Sequence, residues 1–328
     1  MKKRYDLLAG IFAAVGLAIL ILDGKTALMG AREGLQLCLN TLIPTLLPFF
    51  FLSNILTAGL MGRKISLLRP LGRLCRIPEG AEYILVSGFL GGYPLGAQSI
   101  SQACECGSLS AEDGRRMLSF CNNCGPAFVF GVCGALFQDP NIPWILFCVH
   151  ILSALAVAVI IPGNPGKCGT NVRKKPSALQ ALRRAMVAMA VVCGWVILFR
   201  TALAVMERWF GWYLSATSNG IVSGILELSN GCISLKEIGN TQVRFILCAG
   251  LLAFGGLCVA MQTYSAATNV DRGLYFPGKV MQTAISLTLA CLLCAPKWAV
   301  LPGIVAATLG IFLQKWEIRC RNPQKVVV

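Results

Sequence analysis

Three short polar clusters interrupt otherwise apolar sequence: Gly91-Gly92-Tyr93-Pro94, Asn122-Asn123-Cys124-Gly125-Pro126 and Glu227-Leu228-Ser229-Asn230-Gly231. Each joins helix-breaking residues to groups able to bind a solute or an ion. Asn122 and Asn123 carry amides that donate and accept at once. Their structural use is as hydrogen bonds between helices, worth about 0.6–2 kcal/mol each in a membrane. Their functional use is direct contact with a solute or ion, and residue type alone leaves both open. Glu227 is a carboxylate inside a candidate membrane hairpin, where an ionisable group is costly enough to be functional by default. It can couple protons or bind a cation; equally, it can lie at the outer interface or pair with Arg200. Gly91, Gly92, Gly125 and Pro126 shape the backbone. Pro94 and Pro126 each favour a fresh helix start, whose N–H groups and positive dipole end suit an anionic or carbonyl-bearing group. The candidate solute pathway is therefore Gly91, Gly92, Tyr93, Pro94, Asn122, Asn123, Gly125, Pro126, Glu227, Asn230 and Gly231.

Other chemistries lack their parts. The single histidine, His150, lies in an apolar run and reads as a hydrogen-bonded packing residue before a proton relay. There is no Ser/His/Asp set, HExxH pattern or group of clustered carboxylates, so no enzymatic activity is expected. Sixteen Cys would suit a disulfide framework, yet most, such as Cys133, Cys148, Cys193, Cys248, Cys258 and Cys291, stand singly in apolar runs. There Cys behaves as a small hydrophobe. The close pairs, Cys104 with Cys106 and Cys121 with Cys124, lack the four-ligand spacing of a zinc site. Neither a metal nor a cofactor is expected.

The elements that must position these clusters are membrane helices. Charged residues are 13% of the 328 and hydrophobic ones 56%, whereas a soluble domain carries about 25% charged residues. The net charge of +15 would suit nucleic acid. The basic residues cluster between apolar runs, however, where they orient the chain in a bilayer, and no nucleic-acid partner is expected. The apolar runs predict eight spans: Leu7–Leu22, Leu35–Met61 with Pro44 and Pro48, a helix begun by the capping pattern Ser110-Ala111-Glu112-Asp113 and leaving at Phe137, Trp144–Ile161, Met186–Met206 with Arg200, Phe245–Tyr264, Val280–Ala295 and Trp298–Leu313. In this reading Asn122 and Asn123 lie inside the third helix.

Ala81–Cys106 decides the topology. If it crossed, the loop carrying Lys167, Arg173, Lys174, Lys175, Arg183 and Arg184 would fall outside, against the positive-inside rule. Read as a re-entrant hairpin turning at Gly91–Pro94, it returns that loop to the cytoplasm. Arg63, Lys64, Arg69, Arg73 and Arg76, Arg115 and Arg116, Arg272 and Lys279, both termini and the tail residues Lys315, Arg319, Arg321 and Lys325 then share that side. The Trp209, Trp212 and Tyr213 cluster belongs at an interface. Leu214–Ile233 is too polar for a lipid-facing span and forms the second hairpin.

Val86-Ser87-Gly88-Phe89-Leu90 recurs as Val222-Ser223-Gly224-Ile225-Leu226, each after a long span and before a polar loop and a Gly-bearing span. With the first hairpin entering from the cytoplasm and the second from outside, this is the order of an inverted repeat. The expected organisation is residues 1–34 as N-terminal helix and external loop, 35–162 as a first repeat with hairpin 81–106, 163–184 as a basic cytoplasmic loop, 185–314 as a second repeat with hairpin 212–233, and 315–328 as a basic cytoplasmic tail.

Ser87-Gly88-Phe89-Leu90-Gly91-Gly92-Tyr93-Pro94-Leu95-Gly96-Ala97, Leu118-Ser119-Phe120-Cys121-Asn122-Asn123-Cys124-Gly125-Pro126 and Glu227-Leu228-Ser229-Asn230-Gly231 resemble motifs of the YlbJ-type sporulation integral membrane proteins, along nearly the whole chain. The resemblance implies a nucleoside-recognition, or Gate, fold and a role in endospore formation, and names no solute. That family commonly carries Ser where this chain has Cys124, which implies that its pairing with Cys121 is incidental. The expectation is an all-α polytopic membrane protein with about eight transmembrane helices and two opposed re-entrant hairpins in an inverted repeat. It would move a small solute or ion, with the lipid bilayer as its other partner and homo-oligomerisation left open. The alternative is a non-transporting scaffold or signalling component of the same fold.

Overall fold

Long runs of Leu, Ile, Val, Phe and Ala can satisfy their backbone in lipid only internally, which makes helices of them. The computed structural model describes residues 2–163, 177–211 and 215–321, and no β-strand occurs among them. After α1 (Lys2–Leu22), α2 (Gly24–Leu37) and α3 (Ile43–Leu60) run on as one 37-residue helix through a π-helical Cys38–Leu42. The wider π turn makes room where the ring of Pro44 would otherwise crowd the carbonyl of Asn40.

Short α4 (Arg69–Leu74) precedes the first hairpin. Its arms are α5 (Tyr83–Val86), prolonged by a π turn over Ser87–Gly91, and α6 (Leu95–Glu105). The chain reverses at Gly92, whose φ of 76° lies in the left-handed region open to glycine. α7 (Ala111–Leu118) starts where the sequence places it, with the Ser110 hydroxyl accepting the Asp113 N–H at 3.0 Å. It then stops. Residues 119–125 are not helical, and helix resumes only at α8 (Pro126–Phe128), continuing through π-helical Val129–Cys133 to Leu136. Asn122 and Asn123 thus lie in a break and not inside a helix. Pro126 drives Gly125 into an extended conformation, and Gly88 and Gly96 let the broken strand of backbone approach, since a Cβ on either would strike the Cys121 carbonyl.

α9 (Ile142–Ile160) follows, then α10 (Ala178–Phe210), begun by a capping box between Ser177 and Gln180. The second hairpin pairs α11 (Ala216–Leu226) with α12 (Leu228–Ser234) and turns at Glu227. The stretch expected as one span, Phe245–Tyr264, is two helices, α13 (Thr241–Phe254) and α14 (Gly256–Ala266), parted at Gly255 and Gly256, whose φ values are 81° and 83°. α15 (Tyr275–Cys294) and α16 (Val300–Arg321) close the fold.

Among the described residues, six segments are long and apolar enough to cross a membrane: Gly24–Leu60, Ile142–Ile160, Ala178–Phe210, Thr241–Ala266, Tyr275–Cys294 and Pro296–Lys315. The two further expected spans appear as the shorter apolar helices Ala13–Leu22 and Pro126–Leu136, the latter cut short by the break at 119–125. Gly30 packs on Arg200, Thr201 and Ala204, and Gly34 on Ile197 and Arg200. Contacts advance along α2 as they retreat along α10, so the two long helices are antiparallel, joined at a Gly-x-x-x-Gly spacing. The order long helix, hairpin, broken helix, helix occurs twice, once from α2 to α9 and once from α10 to α15. Val86–Leu90 and Val222–Leu226 hold matching places, each running down the first arm of its hairpin to the tip.

One charge lies elsewhere than expected. Lys279, assigned to a cytoplasmic loop, sits one turn inside α15 and is 1% exposed. Arg116 is also buried, its guanidinium donating to the carbonyls of Cys75, Arg76, Ala158 and Ile161, four acceptors that satisfy the charge. Lys167, Arg173, Lys174, Lys175, Trp212, Tyr213 and Lys325 lie outside the described residues.

Candidate functional site

The two hairpin tips meet. Gly91, Gly92 and Tyr93 of the first and Glu227, Leu228 and Ser229 of the second line one pocket, with Gly125 at the end of the break, Ala127 and Phe128 just past it, and Val259 and Gln262 from α14. Leu42, Leu46 and Phe50 of the first long helix and Val192 and Val196 of α10 wall its far side. The space is about 30 Å³, which suits one or two water molecules or a bare ion. Pockets for drug-sized molecules begin near 300 Å³.

Of the residues expected to form the site, Gly91, Gly92, Tyr93, Gly125 and Glu227 line this pocket. Pro94 and Pro126 stand behind it as the residues before α6 and opening α8. Gly231 instead packs against Gly224 across the second hairpin. Asn230 donates its backbone N–H and side-chain amide to Glu227, each at 2.8 Å. The Ser229 N–H adds a third bond to that carboxylate at 3.0 Å. Glu227 is therefore the N-cap of α12, 1% exposed, with its charge held by N–H groups. It has no bond to Arg200, whose guanidinium pairs with Glu33 at 2.5 Å and Glu207 at 3.1 Å; that alternative is excluded. The Tyr93 hydroxyl is buried and has no hydrogen-bond partner among the described residues.

Asn122 and Asn123 are fully buried and tie the break to its neighbours. The Asn122 amide oxygen accepts the Ala97 N–H at 3.2 Å and its nitrogen donates to the Thr263 hydroxyl at 2.7 Å. This joins the break to the first hairpin and to α14. Asn123 donates to the Phe120 carbonyl at 2.5 Å, and its oxygen accepts from Lys279 Nζ at 3.2 Å and Gln282 Nε2 at 3.1 Å. The Tyr93 N–H donates to the Asn123 carbonyl at 2.8 Å, linking tip to break. Beside them the Cys124 N–H donates to His150 Nε2 at 3.0 Å, which gives the lone histidine a hydrogen-bonded packing role.

Lys279, Gln282, Thr263 and Gln262 are the polar residues of this centre that the sequence reading passed over. Their signal was present: Lys279 and Gln282 are spaced three apart, and Gln282 Oε1 accepts from Lys279 Nζ at 2.9 Å. A second group was also missed. Cys133, Cys232 and Cys248, far apart in sequence, bring their sulfurs within 4.8 Å of one another.

Taken together, the helical fold and its six apolar segments make this a multi-pass membrane protein whose polar groups gather at two hairpin tips and two helix breaks. Comparison with known proteins agrees. The chain is similar to the Sporulation integral membrane protein YlbJ of Bacillus subtilis (strain 168), a homologue at 25% identity over an alignment of 349 residues that covers 90% of this chain and 84% of that protein. No protein-family model and no solved structure matches the chain.

Proposed function

We propose that this protein is a transport-type membrane protein of the Gate kind that carries an ion or small solute past the paired hairpin tips. The observation that carries the proposal is the convergence of both tips on one buried pocket between the two antiparallel long helices. Broken helices and hairpins that meet at such a point are how secondary transporters build a substrate site. In this reading α1 and the helix ending at Leu136 are further spans, giving eight. The hairpins at 81–106 and 212–233 are re-entrant from opposite sides, within repeats spanning 35–162 and 185–314. Both termini, the loop 163–184 and the tail 315–328 face the cytoplasm. The pathway comprises the tip residues Gly91, Gly92, Tyr93 and Glu227 and, from the break, Gly125, with Asn122, Asn123, Pro94, Pro126, Asn230 and Gly231 fixing their geometry. The small pocket favours an ion-sized cargo in this conformation; a larger solute requires the tips to part. By its likeness to the Bacillus subtilis protein, the role falls in sporulation.

One observation favours a second reading, a non-transporting scaffold of the same fold: the Glu227 carboxylate is already held by three N–H donors. Flux into proteoliposomes separates the two. The purified chain, tested with protons, alkali cations and a panel running up to nucleosides, should move at least one species faster than protein-free vesicles. No flux for any of them from folded protein would leave the scaffold.

A further inference from the structure

The thiols of Cys133, Cys232 and Cys248 come from three separate elements: the π-helical turn after α8, the short helix α12 and α13. All three residues are wholly buried, in a cluster otherwise made of side chains such as Val129, Leu228 and Phe245. Their sulfurs lie within 4.8 Å of one another, with Cys133 and Cys232 at 3.9 Å. A trigonal site with metal–sulfur bonds of about 2.3 Å sets its sulfurs about 4.0 Å apart. Cys133 and Cys232 already stand at that spacing, and Cys248 needs to draw in by less than about 1 Å.

We propose that these three cysteines form a binding site for a soft univalent d¹⁰ cation, with Cu(I) as its biological occupant. Two points select that class. Thiolates are soft donors that prefer Cu(I) over hard cations. Closed zinc sites take four ligands, and among the described residues the group holds three. Each thiol that binds the cation gives up its proton to solvent, and no electron is transferred. The route in is also visible. Cys232 lies three and four residues beyond Ser229 and Leu228, and Val132 and Cys133 lie one turn beyond Phe128. Those earlier residues line the pocket, so two of the three thiols, Cys133 and Cys232, sit about one helical turn beyond it on the same helices. The site goes beyond the transport reading, because it holds whether or not the protein carries anything.

The test uses Ag(I) as a redox-inert probe on the full chain in nanodiscs, with excess glutathione present to keep isolated thiols empty. Wild type should bind one tight equivalent, and X-ray absorption should show three sulfur neighbours. Cys232→Ser and Cys248→Ser should each weaken that equivalent at least tenfold, whereas Cys291→Ser should leave it unchanged. Absence of a tight equivalent overturns the proposal. So does a two-sulfur or nitrogen- and oxygen-rich shell, unchanged binding in Cys232→Ser, or Zn(II) binding as tightly in competition. Should Cys232→Ser fail to fold, the ligand count on wild type decides alone. The readout is binding, so it stands apart from the flux assay.

Discussion

Substituting Asn123 by Ala tests how the break at 119–125 is held. The change removes the amide oxygen that accepts from Lys279 at 3.2 Å and Gln282 at 3.1 Å, and the donor to the Phe120 carbonyl. A buried polar group left without its partner costs about 1–3 kcal/mol, and interhelical bonds in membrane proteins average a lower ~0.6 kcal/mol. Lys279 keeps its 2.9 Å bond to Gln282, so the ammonium is weakened and not stranded. The expected destabilisation of Asn123→Ala is therefore about 1–3 kcal/mol. Most of the described cysteines are buried, so a thiol-reactive dye in detergent reports unfolding directly. The decisive quantity is the cycle with Lys279→Met. Once the ammonium is gone, Asn123→Ala should cost at least about 1 kcal/mol less than it does in wild type, because neighbours in one network are not additive. Additivity within about 0.3 kcal/mol would refute the claim that Asn123 and Lys279 form one buried network.

Further outcomes follow from the same geometry. Glu227→Ala removes the cap of α12 and should cost about 1–2 kcal/mol, read by the same dye. Glu227→Gln keeps most of the hydrogen bonding, so full flux in that variant across the working pH range would remove Glu227 as the coupling group. Gly34→Leu would drive a side chain into the Ile197 backbone, 2.9 Å from the Cβ position, and should destabilise by about 1–3 kcal/mol or force α2 off α10. Reporter fusions at Ser177 and Asn141 should read cytoplasmic and external respectively; an external Ser177 would reverse the hairpin assignment of 81–106.

What was legible in the sequence follows from what is local. The capping pattern at Ser110 and the turn at Gly91–Pro94 are short-range signals, and each marks a boundary in the fold. The break at Gly255 was hidden because an uninterrupted apolar run from Phe245 to Tyr264 looks the same whether or not two glycines adopt positive φ within it. The antiparallel seam at Gly30 and Gly34 was hidden because a Gly-x-x-x-Gly spacing means nothing until a partner helix faces it. Lys279 misled for a related reason: charge clustering places residues by sequence neighbours, whereas this lysine is held by Asn123, 156 positions away. The three thiols are the extreme case, since Cys133 and Cys232 are 99 positions apart and only tertiary structure gathers them.

The central claim, that cargo passes between the hairpin tips, is tested most directly by filling the pocket. Val196 lines it from α10 and is 1% exposed, so Val196→Trp places an indole where about 30 Å³ of space now lies. Overpacking costs about 1–3 kcal/mol, and unfolding followed in parallel would identify any variant that fails for that reason. With the fold retained, proteoliposome flux of the species carried by wild type should fall to the level of protein-free vesicles. Wild-type flux in folded Val196→Trp would contradict the account.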